Sequence, residues 1–186
     1  MYSIDVMISD HDQIQRMLKV IRNMCCGILE GAEVSDSDFR DVISFVRIYA
    51  DKHHHGKEEQ FLFPEMVKHL SPVADNLITH GMLVEHDLGR RHVYDLETAL
   101  NQYAEDPKTE YKLSILTEAM GYAHLLQLHT EKENKVVYPF ARRQLPQEIL
   151  DEIDEKSHAF EEAQMERGIP QKYLAILERL EQTYHR

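Results

Sequence analysis

The chain has 186 residues, with 21 Lys and Arg against 33 Asp and Glu, and a formal net charge of -12. That length suits one domain with a substantial core. The charge excludes nucleic-acid binding by phosphate neutralisation and docking on an anionic membrane surface. With 7 Gly, 6 Pro and no Trp, and apolar residues recurring at helical spacing, the composition predicts an all-α fold. No apolar run is long enough to span a bilayer. The opening MYSIDVMISDHD carries acids where a secretion signal carries bases, so a cytoplasmic protein is expected.

Helix one is expected from about Ser3 to Glu30, with Met7, His11, Ile14, Leu18, Ile21, Cys25 and Ile28 on one stripe. Cys25 and Cys26 are adjacent, so their side chains diverge by about 100° and chelate one ion poorly. They read as reduced packing residues. Asp36 or Ser37 caps helix two, which runs to about His69 with Val46, Ala50, His54, Glu58 and Phe61 inward. Pro72 marks a break. Helix three, about Asp75 to Ala104, turns Leu83, His86, Val93, Leu96 and Leu100 inward. After Asp106 and Pro107, helix four carries Ile115, Tyr122, Leu126, His129, Glu133, Val136 and Phe140 on one stripe. Pro146 opens a further helix to about Ala163, and Gly168 and Pro170 precede a last one from Lys172 to Tyr184. Short connections predict an up-down-up-down four-helix bundle over residues 1–145. Residues 146–186 form a C-terminal helical extension packed on the same domain, covering one bundle face or building a homodimer interface.

The spacing His-x-x-x-Glu occurs twice, as His54 to Glu58 in HHHGKEEQFLFP and His129 to Glu133 in HTEKENKVVYP. Four residues of α-helix turn about 400°, leaving the two side chains ~40° apart on one face and ~6 Å apart along the axis. A pair held so can share one metal ion or bridge two. His55 and Glu59 share the spacing, but their stripe runs back through Asp51 and Lys52, so His54 and Glu58 are favoured. Counting residues from the helix ends places His11, His54, Glu58, His86, His129 and Glu133 within ~12 to 21 Å of one end of the bundle.

A buried layer of four imidazoles and two carboxylates is very unfavourable without compensation. One such histidine alone reads as a hydrogen-bonded core residue; the coincidence of all six at one depth points to metal. Mixed imidazole and carboxylate donors suit iron, manganese or zinc. The simplest assignment gives each of two ions two histidines, with Glu58 and Glu133 spanning both. A bridging water, hydroxide or oxide completes most of the shell and leaves room for a small ligand. Phe61, Phe63, Tyr122, Tyr138 and Phe140 read as core aromatics.

These segments, with SDHD around His11 and EHDLGR around His86, resemble the hemerythrin-like, or HHE cation-binding, family over roughly residues 3–142. The resemblance implies a four-helix bundle with two iron ions in a centre of Fe–O–Fe type. It makes His11, His54, His86 and His129 terminal ligands and Glu58 and Glu133 bridges. It also implies roles in binding dioxygen, sensing oxygen or iron, or responding to nitric oxide or peroxide. The oxygen carriers of that family add a second helix-three histidine four residues from the first. Here Met82 and Arg90 hold those positions, so one ligand of the oxygen carrier is missing. His80, His124 and His55 are the candidates for an extra ligand or for a group orienting ligands from outside. His53 also suits the latter role, and His69, His92, His158 and His185 read as solvated or rim residues.

The leading expectation is a small-molecule binder that takes up dioxygen or nitric oxide. The alternative is a di-iron oxidoreductase reducing peroxide, dioxygen or nitric oxide. The chain has no flavin, haem or rubredoxin-like motif, so electrons would come from a partner. A mononuclear zinc protein suits six ligands poorly. The ferritin-like class needs two Glu-x-x-His pairs, and only Glu155 to His158 is present.

Overall fold

A computed structural model describes residues 1–185. Among these residues there is no strand, and the helical rods are six. They are α1 (Tyr2–Leu29), α2 (36–69), α3 (72–105), α4 (109–144), α5 (Gln147–Glu166) and α6 (Ile169–Thr183). None is long and apolar enough to cross a membrane.

The ends follow local chemistry. Past α1, Gly31 takes φ 104°, and the N–H groups of Gly31 and Ala32 return to the carbonyls of Ile28 and Gly27. That is a left-handed helix stop that favours glycine at this position. Two prolines expected only to interrupt helices instead sit inside first turns, Pro72 in α3 and Pro170 in α6. A first-turn residue has no intrahelical partner for its N–H, so proline costs nothing there.

Three rods are not uniform. Val46–His55 and Glu58–Leu62 in α2, Ile78–Met82 in α3 and Glu133–Val137 in α4 are wide π-type segments. The N–H groups of Gly56, Phe63, Leu83 and Tyr138 donate five residues back, to Asp51, Glu58, Ile78 and Glu133. Pro64 and Pro139 follow two of these turns at matched places. Proline lacks the N–H and crowds the carbonyl four back, and a wide turn just before it relieves both. The other two wide turns have no following proline, and we have no local account of them.

A wide turn adds about one residue and moves the apolar stripe by one position. In α4 the buried pair is therefore Val137 and Tyr138, while Val136, expected inward, is 49% exposed. In α3 Met82 is buried and Leu83 only partly. In α2 Leu62 and Phe63 are buried and Phe61 only partly.

The core is split in two. One cluster gathers Ile4 and Met7 from α1, Leu62, Phe63 and Met66 from α2, Ile78 and Met82 from α3, and Val137, Tyr138 and Ala141 from α4. The other runs from Ile14 to Ile28 in α1, Phe39 to Ala50 in α2, Val93 to Leu100 in α3 and Ile115 to Leu126 in α4. Between the clusters lies a layer holding His11, His54, Glu58, His86, His129 and Glu133. α1 and α3 each pack on both α2 and α4. α5 and α6 lie on α1 and α2. Leu150 and Ile153 of α5 join the first cluster, and Tyr173, Leu177 and Leu180 of α6 join the second.

Candidate metal centre

The polar layer is dry. His11, His54, His86, His129, Glu58 and Glu133 are all at most 1% exposed. The six residues come together as the depth count expected. His11 Nε2 is 2.8 Å from His54 Nε2, and His86 Nε2 is 3.1 Å from His129 Nε2. Glu133 places Oε2 3.2 Å from His11 Nε2 and Oε1 3.2 Å from His129 Nε2. Glu58 Oε2 lies 3.5 Å from His86 Nε2 and 3.7 Å from His54 Nε2.

The outer nitrogens explain which atoms face in. His11 Nδ1–H donates to Asn134 Oδ1 (2.8 Å), and His54 Nδ1–H to Asp10 Oδ2 (3.3 Å). His86 Nδ1–H donates to Glu59 Oε1 (2.6 Å), and His129 Nδ1–H to Glu85 Oε2 (2.8 Å). With each Nδ1–H committed outward, a neutral ring turns its Nε2 lone pair inward. The centre is then lone pair against lone pair and carboxylate oxygen. Glu58 Oε2 and both carboxylate oxygens of Glu133 have no hydrogen-bond donor. A shared cation, or a proton on one of the imidazoles, relieves such an arrangement.

His55 belongs to this layer. It is 4% exposed, its Nδ1–H points to Asp51 Oδ1 at 3.4 Å, and its Nε2 has no partner. Its ring stacks on His86 with centroids 3.8 Å apart. The atoms that could hold a metal ion form two groups, His11, His54, Glu58 and Glu133, and His55, Glu58, His86 and His129. The choice between the His54 and His55 registers therefore dissolves, because α2 is enclosed by neighbours on several sides. One group contains two imidazoles and the other three. Arg90, one turn beyond His86, pairs with Asp51, Glu59 and Asp87. His80 and His124, the other candidates, are exposed and lie outside both groups. His53, read as a group that could orient ligands from outside, is 2% exposed.

Electrostatics follow the geometry. Burial and then the Glu133 carboxylate push Glu58 well above the carboxylate range. Burial also opposes ionisation of Glu133, but His129, His11 and His86 outweigh it and hold that group well below. Burial and His11 hold His54 down to about 3, against the pull of Asp10. Burial and His86 hold His55 well below its usual value. Burial acts the same way on His129, yet Glu133 and Glu85 overcome it and raise the group to about 9. His129 thus supplies positive charge opposite Glu133, the role a metal ion fills more completely.

A sequence reading limited to the six residues misses the groups that orient them, although the signal is present. Asp10 and Glu85 each precede a histidine, His11 and His86. Lys57 and Lys132 each precede a central glutamate, Glu58 and Glu133, and Glu59 and Asn134 follow those glutamates. Lys57 Nζ donates to Asp10 (2.6 Å), and Lys132 Nζ donates to Glu85. Tyr138, read as a core aromatic, donates its hydroxyl to Glu58 Oε1 at 2.6 Å and lies 3.4 Å from His11 Nε2. Burial, then Glu58 and Glu133, keep that phenol protonated. Cys25 is free and buried, and burial with the neighbouring Cys26 pushes its thiol up to about 12, as befits packing.

A cavity of about 300 Å³ opens between α2 and α3. Val46, Ile48, Gly89, Val93 and Tyr122 line it, and His55 and His86 form the wall nearest the centre.

The rods and this layer define a helical protein whose buried imidazoles and carboxylates fit a cation site. The hemerythrin HHE cation binding domain matches residues 2–141, and the chain belongs to that family. No curated protein and no solved structure matches it.

Proposed function

We propose that the chain is a non-haem di-iron protein of the cytoplasm that binds dioxygen or nitric oxide for sensing, storage or stress response. The observation that carries this reading is the set of Nε2 atoms turned onto oxygens of Glu58 and Glu133 that have no donor. His11 and His54 would hold one ion, His55, His86 and His129 the other, with Glu58 and Glu133 between them. Two such ions, when bound, supply reversible redox chemistry toward a diatomic ligand. The starts of α1 and α3 share a core cluster with the ends of α2 and α4, which supports an up-down-up-down bundle over residues 1–145. Residues 146–186 serve as an extension covering the face made by α1 and α2.

The protein's own residues bias the two sides. The side with two imidazoles has fewer protein donors and so more room for an outside ligand. The Tyr138 hydroxyl stands on that side, donating to Glu58 Oε1 at 2.6 Å and lying 3.4 Å from His11 Nε2. The cavity along α2 and α3 reaches the layer at His55 and His86, so small molecules would approach from the side with three imidazoles. The same hydroxyl favours a second reading, an oxidoreductase that reduces dioxygen, nitric oxide or peroxide with electrons from a partner. A phenol hydrogen-bonded to Glu58 Oε1 would pass a proton toward the reacting side through that carboxyl.

Iron-loaded protein is expected to hold about two irons per chain under this assignment. Glu58→Ala should lose most of that iron, as read by elemental analysis; full iron in the variant removes Glu58 from the site. Mixing the reduced protein with dioxygen separates the readings. A reversible optical change supports binding, and repeated turnover on added reductant supports an enzyme.

A further inference from the structure

We infer that α5 reaches into the metal centre: Glu161, acting through Lys57 and Asp10, is a positioning residue for His54. The inference rests on the ligand assignment proposed above. The family match ends at residue 141, so α5 lies outside it.

The chain of contacts is short and dry. Lys57 is fully buried. Its Nζ donates to Asp10 Oδ2 at 2.6 Å and to Glu161 Oε1, and lies 3.5 Å from His53 Nε2. Asp10 Oδ2 is the same oxygen that accepts from His54 Nδ1 at 3.3 Å, and Asp10 Oδ1 accepts from Tyr49 Oη at 3.1 Å. Phe160 of α5 packs on the His53 ring, with centroids 5.8 Å apart. Asp10, His53 and Glu161 together have the donor set of a further cation site. The Lys57 ammonium already takes that cation's place.

A buried ammonium requires anionic partners. With Glu161 present, Lys57 divides its hydrogen bonds between two carboxylates, and Asp10 keeps an oxygen for His54. Without that second carboxylate, Lys57 draws on Asp10 alone and competes with the His54 N–H for it. The imidazole then loses the partner that fixes its tautomer and direction. The equivalent lysine in the other half, Lys132, needs no second acid, since its side chain is 39% exposed and water serves it.

Glu161→Gln tests this, because it keeps the shape of the side chain and removes its charge. The control is Asp154→Asn. Asp154 is another anchor of α5, accepting from the Tyr2 and Ser3 N–H groups and the Ser3 hydroxyl at 2.9, 2.8 and 2.6 Å, and it touches nothing in the Lys57 chain. Wild type and both variants are loaded with iron(II) under nitrogen, and release into a ferrous chelator is followed with time. In E161Q one of the two irons should leave about ten-fold faster, the scale of an outer partner's effect on affinity. The other iron should leave at the wild-type rate, and D154N should match wild type throughout. Unchanged release in E161Q overturns the inference, as does the same acceleration in D154N or equal acceleration of both irons. Wild-type protein that retains no iron overturns the metal assignment instead.

Discussion

In the first half of the site Asp10 accepts from His54 and is gripped by Lys57, three residues beyond that histidine. In the second half Glu85 accepts from His129 and is gripped by Lys132, at the same spacing. The parallel continues through Glu59 on His86 and Asn134 on His11, and through Phe63 and Tyr138, whose rings stack on His86 and His11. Three positions break it. His55 stands where the second half has Thr130, which instead receives the Gln15 amide at 2.6 Å. Tyr138 carries a hydroxyl where Phe63 has none. Lys57 is sealed beneath α5, whereas Lys132 meets water. The repeated residues place donors symmetrically; the unrepeated ones make one side richer in imidazole and the other richer in outer charge.

The largest expected difference between the halves lies in the lysines. Lys57→Met leaves Asp10 and Glu161 buried without their cation, which costs about 3–5 kcal/mol. Lys132→Met removes a half-exposed pair worth at most about 1 kcal/mol. Urea unfolding of the two variants checks this, and equal losses would show that the burial of Lys57 carries no special weight.

His55→Thr makes the halves more alike. Outer partners of a ligand are worth about ten- to a hundred-fold in metal affinity, so loss of an inward donor should weaken one ion by at least about ten-fold. Competition with a chelator measures this, and unaltered affinity for both ions would remove His55 from the ligand set.

The smallest effect concerns the cover on the first half. Asp38 of α2 accepts from Arg179 and Tyr184 near the end of α6 at 2.9 and 2.6 Å. Burial opposes its ionisation, but hydrogen bonds from Tyr184, Arg179 and Ser35 win and lower its pKa. A folded value below the unfolded one, near about 4, gives stability that is present above about pH 4. It is lost as pH falls through the folded value. Its partner Arg179 is about half exposed, so the contribution is at most about 1 kcal/mol. Asp38→Asn should reduce the change in urea midpoint between pH 6 and pH 3 by no more than that amount.

Much of the fold was legible because helical periodicity and chain breakers act locally. The stripe through His11, the ends near residues 30, 69 and 105, and the late helices after Pro146 all follow from spacing. The common depth of the six site residues also followed from a rise of about 1.5 Å per residue. The register beyond each glutamate did not, since a wide turn changes the period and no count at 3.6 anticipates it. This is why Val136 and Phe140 were expected where Val137 and Tyr138 lie.

What the sequence determined by itself is the doubled pairing of His54 with Glu58 and His129 with Glu133, each on one helix, because four residues always return a side chain to nearly the same face. Tertiary packing alone decided that His55 joins His86 and His129, that Asp10 orients His54 rather than its neighbour His11, and that Glu161 reaches Lys57 from 104 residues away. Those contacts depend on the relative rotation and depth of separate rods, and local spacing carries no information about either.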